Sequence, residues 1–142
     1  MILCASWCLC MNYASRYVLT SIDDIKRVVS GVLKGVEKHR ALTEECSFNI
    51  SLVINELLVN CFEHAKPSKM SPVIFKAGIK NDLLVISVTD SGSGFEYEKA
   101  CTGVAADNLL KERGRGLTLV HALCQEICYN SVGNSVEVKI AI

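Results

Sequence analysis

The sequence has no excess charge of either sign: fifteen Lys and Arg balance fifteen Asp and Glu over 142 residues. No run of basic residues is interleaved with aromatics, so the electrostatic footprint of a nucleic-acid binder is missing and no such partner is expected. No apolar run reaches the roughly 20 residues that a membrane-spanning helix needs. The apolar opening from Met1 to Met11 has no basic leading region and is ended by Asn12, Ser15 and Arg16, which excludes a membrane partner and points to a cytoplasmic protein. The eight cysteines, at 4, 8, 10, 46, 61, 101, 124 and 128, form no C-x-x-C pair, and no His stands at zinc-site spacing. They read as reduced thiols rather than a disulfide framework, with Cys61 and Cys124 as small hydrophobes among apolar neighbours. Internal repeats and low-complexity segments are also absent.

Half of the chain is hydrophobic, so a chain of this length has enough apolar surface for one core. We expect a single domain over 16–142, preceded by an apolar extension over 1–15. A short strand is expected over 16–20, followed by Ser21 as cap of a helix running towards His39. Thr43 with Glu44 and Glu45 opens a second helix, which Lys66-Pro67-Ser68 ends. Strand-like patterns over 72–80 and 83–89 are joined by Asn81-Asp82, a two-residue hairpin connection. A weakly patterned stretch over 96–113 reads as a loop or lid. Leu117, Leu119, Val120, Leu123 and Ile127 have helical spacing, and Val136, Val138, Ile140 and Ile142 alternate as a closing strand after a turn at Gly133-Asn134. The order β, α, α, β, β, α, β predicts a two-layer α/β sandwich, a mixed and mostly antiparallel sheet with helices on one face.

The second helix carries the first chemical signal. Ile50, Val53, Ile54, Leu57, Leu58, Cys61, Phe62 and Ala65 give it a buried face. Steps of four advance about 40° around a helix, so Glu56, Asn60 and His64 form a ladder climbing from the rim into that face. Polar groups so placed must be paired or used. At the top of the ladder, His64 is expected to be packed and hydrogen-bonded rather than catalytic.

Two further motifs follow. Asp90 continues the alternation of Leu84, Ile86 and Val88, so its carboxylate points to their side and needs a donor such as an exocyclic amine. Gly92 and Gly94 let the backbone turn sharply and let a flat ligand approach closely. Gly114-x-Gly116 ahead of a helix offers backbone N–H groups and a positive dipole end for phosphate oxygens, with Arg113 and Arg115 adding charge. Ser135 alternates with Glu137 and Lys139, and that exposed pattern leaves it outside the site.

Taken in order, Glu56-x-x-x-Asn60, Asp90-x-Gly92-x-Gly94-Phe95 and Gly114-x-Gly116-Leu117 resemble the three ATP-site boxes of the superfamily grouping gyrase, histidine kinases and MutL, known as GHKL. The resemblance covers nearly the whole chain and implies an ATP site between helices and a lid. Within the group, Asn60-x-x-x-His64-Ala65 and Glu112-Arg113-Gly114 most resemble the anti-sigma-factor serine kinases, which bind a sigma factor and phosphorylate an anti-anti-sigma partner. The resemblance implies that Asn60 ligates Mg²⁺ and that Glu56 is the base towards a partner's serine. It also implies that Asp90 reads the adenine amine, that Gly92 and Gly94 line the base pocket, and that Gly114, Gly116 and Arg113 meet the phosphates. Here Arg113 abuts Gly114, where relatives have an intervening residue, so either Arg113 or Arg115 is the γ-phosphate contact. A homodimer through the edge of the first strand is implied by the same resemblance. A nucleotide-gated binding module without phosphoryl transfer would use the same boxes. So would a separate histidine-kinase ATP-binding domain, although His39, His64 and His121 form no phosphoacceptor box on a long dimerisation helix.

Overall fold

The computed structural model describes residues 11–91, 112–130 and 134–142, with the side chains of 112–116 left aside. Within them, five strands form one sheet: β1 Tyr13–Leu19, β2 Val73–Lys80, β3 Leu83–Thr89, β4 Glu126–Tyr129 and β5 Ser135–Ala141. Three α-helices accompany it, α1 Ile25–Glu37, α2 Glu44–Ala65 and α3 Glu112–Leu123. The strand order is β1-β2-β3-β5-β4, and all four neighbouring pairs are antiparallel. This is the expected two-layer sandwich. No described helix is long and apolar enough to cross a membrane.

Local chemistry accounts for the element ends. Ser21 accepts from Asp23 N while Asp24 accepts from Ser21 N, a capping box on a short 3₁₀ turn, Ile22–Asp24, that leads into α1. Thr43 Oγ1 accepts from Cys46 N at 3.0 Å and caps α2. Lys66, in the left-handed conformation at φ 47°, ends α2. Asn81 at φ 56° supplies the positive φ that a tight hairpin between β2 and β3 requires.

One parity of the sheet faces the helices. Leu19, Val73, Phe75, Ala77, Ile79, Leu84, Ile86, Val88, Val136, Val138 and Ile140 join Val28, Val32, Val36, Ile50, Val53, Ile54, Leu57, Leu58 and Val120 in one core. At the β1 edge the helix comes close, because Gly31 and Gly35 of α1 present no Cβ to the side chains of Tyr17 and Tyr13 that lie against them. Arg40, in the α1–α2 connection, donates to Ile142 O and to Asp82 Oδ1, each at 2.9 Å, and so ties that connection to the far end of the sheet.

Five expectations need correction. The first strand begins at Tyr13, so residues 13–15, expected in the extension, are paired with Ala77, Gly78 and Ile79. The helical spacing that runs to Ile127 is broken after Leu123: Gln125 N donates to Lys139 O, and Glu126–Tyr129 pairs with β5 as a fifth strand. Leu119, assigned to the apolar face of that helix, is 42% exposed, whereas Leu117 and Val120 are buried. The glycines expected ahead of a helix, Gly114 and Gly116, lie within α3, which starts at Glu112. The N–H groups left without an intrahelical partner are those of the first turn, so they still fall in the Arg113–Gly114 stretch. Of the loop or lid expected over 96–113, residues 112 and 113 instead open α3, and 96–111 lie outside the described residues, as do Gly92 and Gly94.

Candidate functional site

The site lies where β3 runs out beneath α2. Leu57, Asn60 and Cys61 of α2, Val88 and Asp90 at the end of β3, Leu117 of α3, Tyr129 of β4, and Asn134, Ser135 and Val136 at the start of β5 border one recess. Asn60 and Asp90, 30 positions apart in sequence, are thereby brought to one place by the fold. Glu56 is half-buried one turn before Asn60 on α2. A wider recess at the other end of α2, holding Cys46 and Cys124, is bordered by none of the residues that the sequence motifs single out.

Strand parity explains the placement of Asp90. Val88 pairs with Val136 as the last core-facing pair of β3 and β5, and Thr89 pairs with Ser135 behind it. Asp90, one step further, returns to the helix side. Its N–H donates to Asn134 O at 2.9 Å. Asn134 is held in turn by Asn130, whose amide donates to Asn134 Oδ1 at 2.6 Å and whose Oδ1 accepts from Asn134 N at 3.0 Å. The wall opposite α2 is therefore built from interlocked amides.

Cys61 and Asp90 border the recess together. Burial first, and then the Asp90 carboxyl nearby, push the Cys61 thiol up to about 12. Cys61 is thus protonated throughout the neutral range, as the reading of the cysteines as reduced hydrophobes expects, but it also faces a charged partner that sequence does not reveal.

The lining has the chemistry that a flat heteroaromatic ring bearing an amine would meet, although the recess itself, about 20 Å³, has room for little more than a water. Leu57, Val88, Leu117 and Val136 offer apolar walls, and Asp90 offers an anionic acceptor at their end. The donor set also fits a magnesium ion held chiefly by phosphate oxygens and water. Asn60 provides one hard carboxamide oxygen, and no group of three or more His, Cys, Asp or Glu among the described residues forms a protein cage.

Two residues differ from expectation. His64, expected in a packed environment, is exposed. It points along the same arc as Leu57, but it falls in the last turn of α2, beyond the last buried residue, Leu58. Ser135, set aside on its alternation, borders the recess, with its hydroxyl 2.9 Å from that of Thr89. Cys61, Leu117, Tyr129 and Asn134 also border it without having been given a role in the site. Of these, Leu117 ends the third motif and Cys61 directly follows Asn60 of the first. The side chains of Arg113 and Arg115 lie outside the described residues.

The model of the histidine kinase-like ATPase domain family matches residues 21–140, and the chain belongs to that family. The fold of that family is the one the motifs lead one to expect. Among individual proteins, the chain is similar to the sensor histidine kinase LiaS of Bacillus subtilis strain 168, with 29% identity over 113 residues, covering 80% of this chain and 27% of that protein. It is also similar to the anti-sigma F factors of Thermoanaerobacter sp. strain X514 and of Caldanaerobacter subterraneus subsp. tengcongensis. Identity to each is 31% over 81 residues, covering 56% of this chain and 57% of the factor. The chain thus spans about a quarter of the histidine kinase and little more than half of the anti-sigma factors.

Proposed function

We propose that this chain is an ATP-dependent protein serine kinase that also sequesters a sigma factor, and that its substrate is a serine of an anti-anti-sigma partner. The observation that carries the reading is the half-buried Glu56 one turn from Asn60, on the helix that borders the Asp90 recess. In this reading ATP lies with its adenine amine on Asp90 and its phosphates directed past Asn60 to the start of α3. Asn60 holds Mg²⁺, which offsets phosphate charge when bound. Glu56 accepts the proton of the serine hydroxyl as that oxygen attacks the γ-phosphorus, and ADP leaves. The similarity to anti-sigma F factors supports the partner assignment. A homodimer belongs to the same reading, since β1 is an edge strand of the sheet.

The test is transfer of labelled γ-phosphate, with Mg²⁺, to a serine-bearing anti-anti-sigma protein. Glu56→Ala should lower transfer by about 10²-fold or more, the scale of a lost general base, while calorimetric ATP affinity stays near wild type. Wild-type protein that binds ATP and transfers nothing to serine would favour a nucleotide-gated binding module. Transfer to a histidine on a separately supplied dimerisation helix would favour the histidine-kinase reading, which the LiaS similarity also supports.

A further inference from the structure

The helix that carries Asn60 has a second apolar line, directed away from the core. Leu57 is buried, and Phe48, nine positions earlier on α2, points the opposite way at about 100° per residue. Leu52, Asn55, Val59 and Phe62 all lie within about 40° of Phe48 around the axis and follow it over about 21 Å. Their alternating steps of four and three are the seam spacing of a helix that meets another helix along its length. Phe48 is 66% exposed, Leu52 is half-buried and Asn55 exposed, while Val59 and Phe62 lean partly on the core. Scattered exposed hydrophobics need no explanation, but an aligned row does. Charge flanks the row on one side. Glu45, Glu56 and Glu63 stand eleven and seven positions apart, so they share one direction within about 20°. Glu45 and Glu63 are exposed and Glu56 is half-buried.

We infer that this outer face of α2 receives an amphipathic helix of a partner protein, with apolar residues at the same spacing and Lys or Arg along the flank that meets the three glutamates. Asn55 interrupts the seam midway, and a polar residue there fixes the register of the incoming helix. The acidic flank decides among occupants. Residues 1–10 include no basic residue, and 96–111 carry Glu96, Glu98 and Asp107 against Lys99 and Lys111, so neither segment of this chain complements it. Two copies paired antiparallel through this face would set glutamates against glutamates, which costs affinity. The inference is separate from the catalytic reading, and its test leaves Glu56 unchanged.

The probe is a synthetic amphipathic peptide of roughly three heptads with Leu along the seam and Lys along one flank, beside a second in which Glu replaces each flanking Lys. Calorimetry with the full chain reads the affinity of each, at low and at high salt. The chain should bind the Lys peptide, less tightly as salt rises, and the Glu peptide at least about tenfold more weakly. Phe48→Gln keeps a good helix former at an exposed position. It should weaken the Lys peptide about tenfold or more, the scale of one buried Phe, with thermal unfolding unchanged. Glu45→Lys combined with Glu63→Lys should invert the preference, so that the Glu peptide binds better. No binding of the Lys peptide, binding indifferent to Phe48→Gln, or a preference that does not invert would overturn the inference. A marked fall in unfolding temperature in Phe48→Gln would show that the chain itself covers the row. Self-association in sedimentation that Phe48→Gln abolishes would assign the row to a second copy. Either result would overturn the partner helix, and transfer of phosphate to serine would be judged apart from it.

Discussion

Asp90→Asn separates charge from shape at the centre of the recess. The carboxamide is close to isosteric and keeps an acceptor oxygen, so the backbone bond to Asn134 and the apolar walls from Leu57, Val88, Leu117 and Val136 should persist. What changes is the acceptor. A hydrogen bond to a charged group contributes about 1.5–3 kcal/mol net and a neutral one about 0.5–1.5. The substitution should therefore cost about 1–1.5 kcal/mol of binding, a fivefold to tenfold loss of ATP affinity. Asp90→Ala removes the whole bond, and its loss should be about tenfold to 150-fold. Calorimetry with ATP and Mg²⁺ measures both. An internal control comes from Cys61, whose elevation to about 12 is due first to burial and then to Asp90. In Asp90→Asn the thiol should titrate lower, yet remain above an ordinary cysteine because burial is unchanged. The pH dependence of Cys61 alkylation, followed by mass spectrometry, reads this directly. Wild-type ATP affinity in Asp90→Asn, with the Cys61 titration shifted as described, would refute the base pocket assignment, since the local change would have occurred without consequence for the ligand.

Two further predictions concern the scaffold. Gly35→Ala gains about 1 kcal/mol of helix propensity but drives a Cβ into the Tyr13 side chain, which is held by its hydroxyl bond to Ser15 at 2.9 Å and by packing on His39. Overpacking costs about 1–3 kcal/mol, so urea denaturation should show net destabilisation, and in a Tyr13→Leu background the same substitution should become stabilising. The Asp24 carboxyl is held below its ordinary range first by the Thr20 N–H, with the Ser21 N–H and Arg27 adding to it. Its folded pKa is depressed, so its contribution is present above the unfolded value near 4 and is lost as pH falls through the folded value. The stability difference between wild type and Asp24→Asn should thus shrink below about pH 4 and stay constant from pH 5 to 7. A difference that grows on acidification would contradict it.

Elements with local signals could be read from the sequence, and elements that depend on remote pairing could not. Thr43 and Lys66 bound α2 because a cap and a left-handed stop act within one turn, and Asn81-Asp82 marks the hairpin for the same reason. β4 escaped because Leu123 and Ile127 stand four apart, the spacing of a helix. What overrides that spacing is the pairing of Ile127 with Val138 and the bond from Gln125 N to Lys139 O, 14 positions away. His64 fails for a related reason. Periodicity reports direction around a helix axis, not whether a neighbour exists at that height. Asn60 and Asp90 could be singled out because polar residues in apolar patterns are conspicuous, whereas Cys61 fits its pattern and its partner is supplied only by the fold.

The site follows from where one strand stops. Around α2, Asn60 lies about 60° to one side of Leu57 and Cys61 about 40° to the other, so consecutive residues border the recess with Leu57 between them. Beneath them the sheet offers Val88 and Val136 as its final core-facing pair, and the next helix-facing position of the chain is Asp90. A strand one residue out of register would turn that carboxylate to the opposite face of the sheet, out of reach of Cys61. The meeting of Cys61 and Asp90 at one recess therefore depends on register at the end of β3. Any substitution that shifts the Thr89 and Ser135 pairing should lower the Cys61 titration and weaken the nucleotide together.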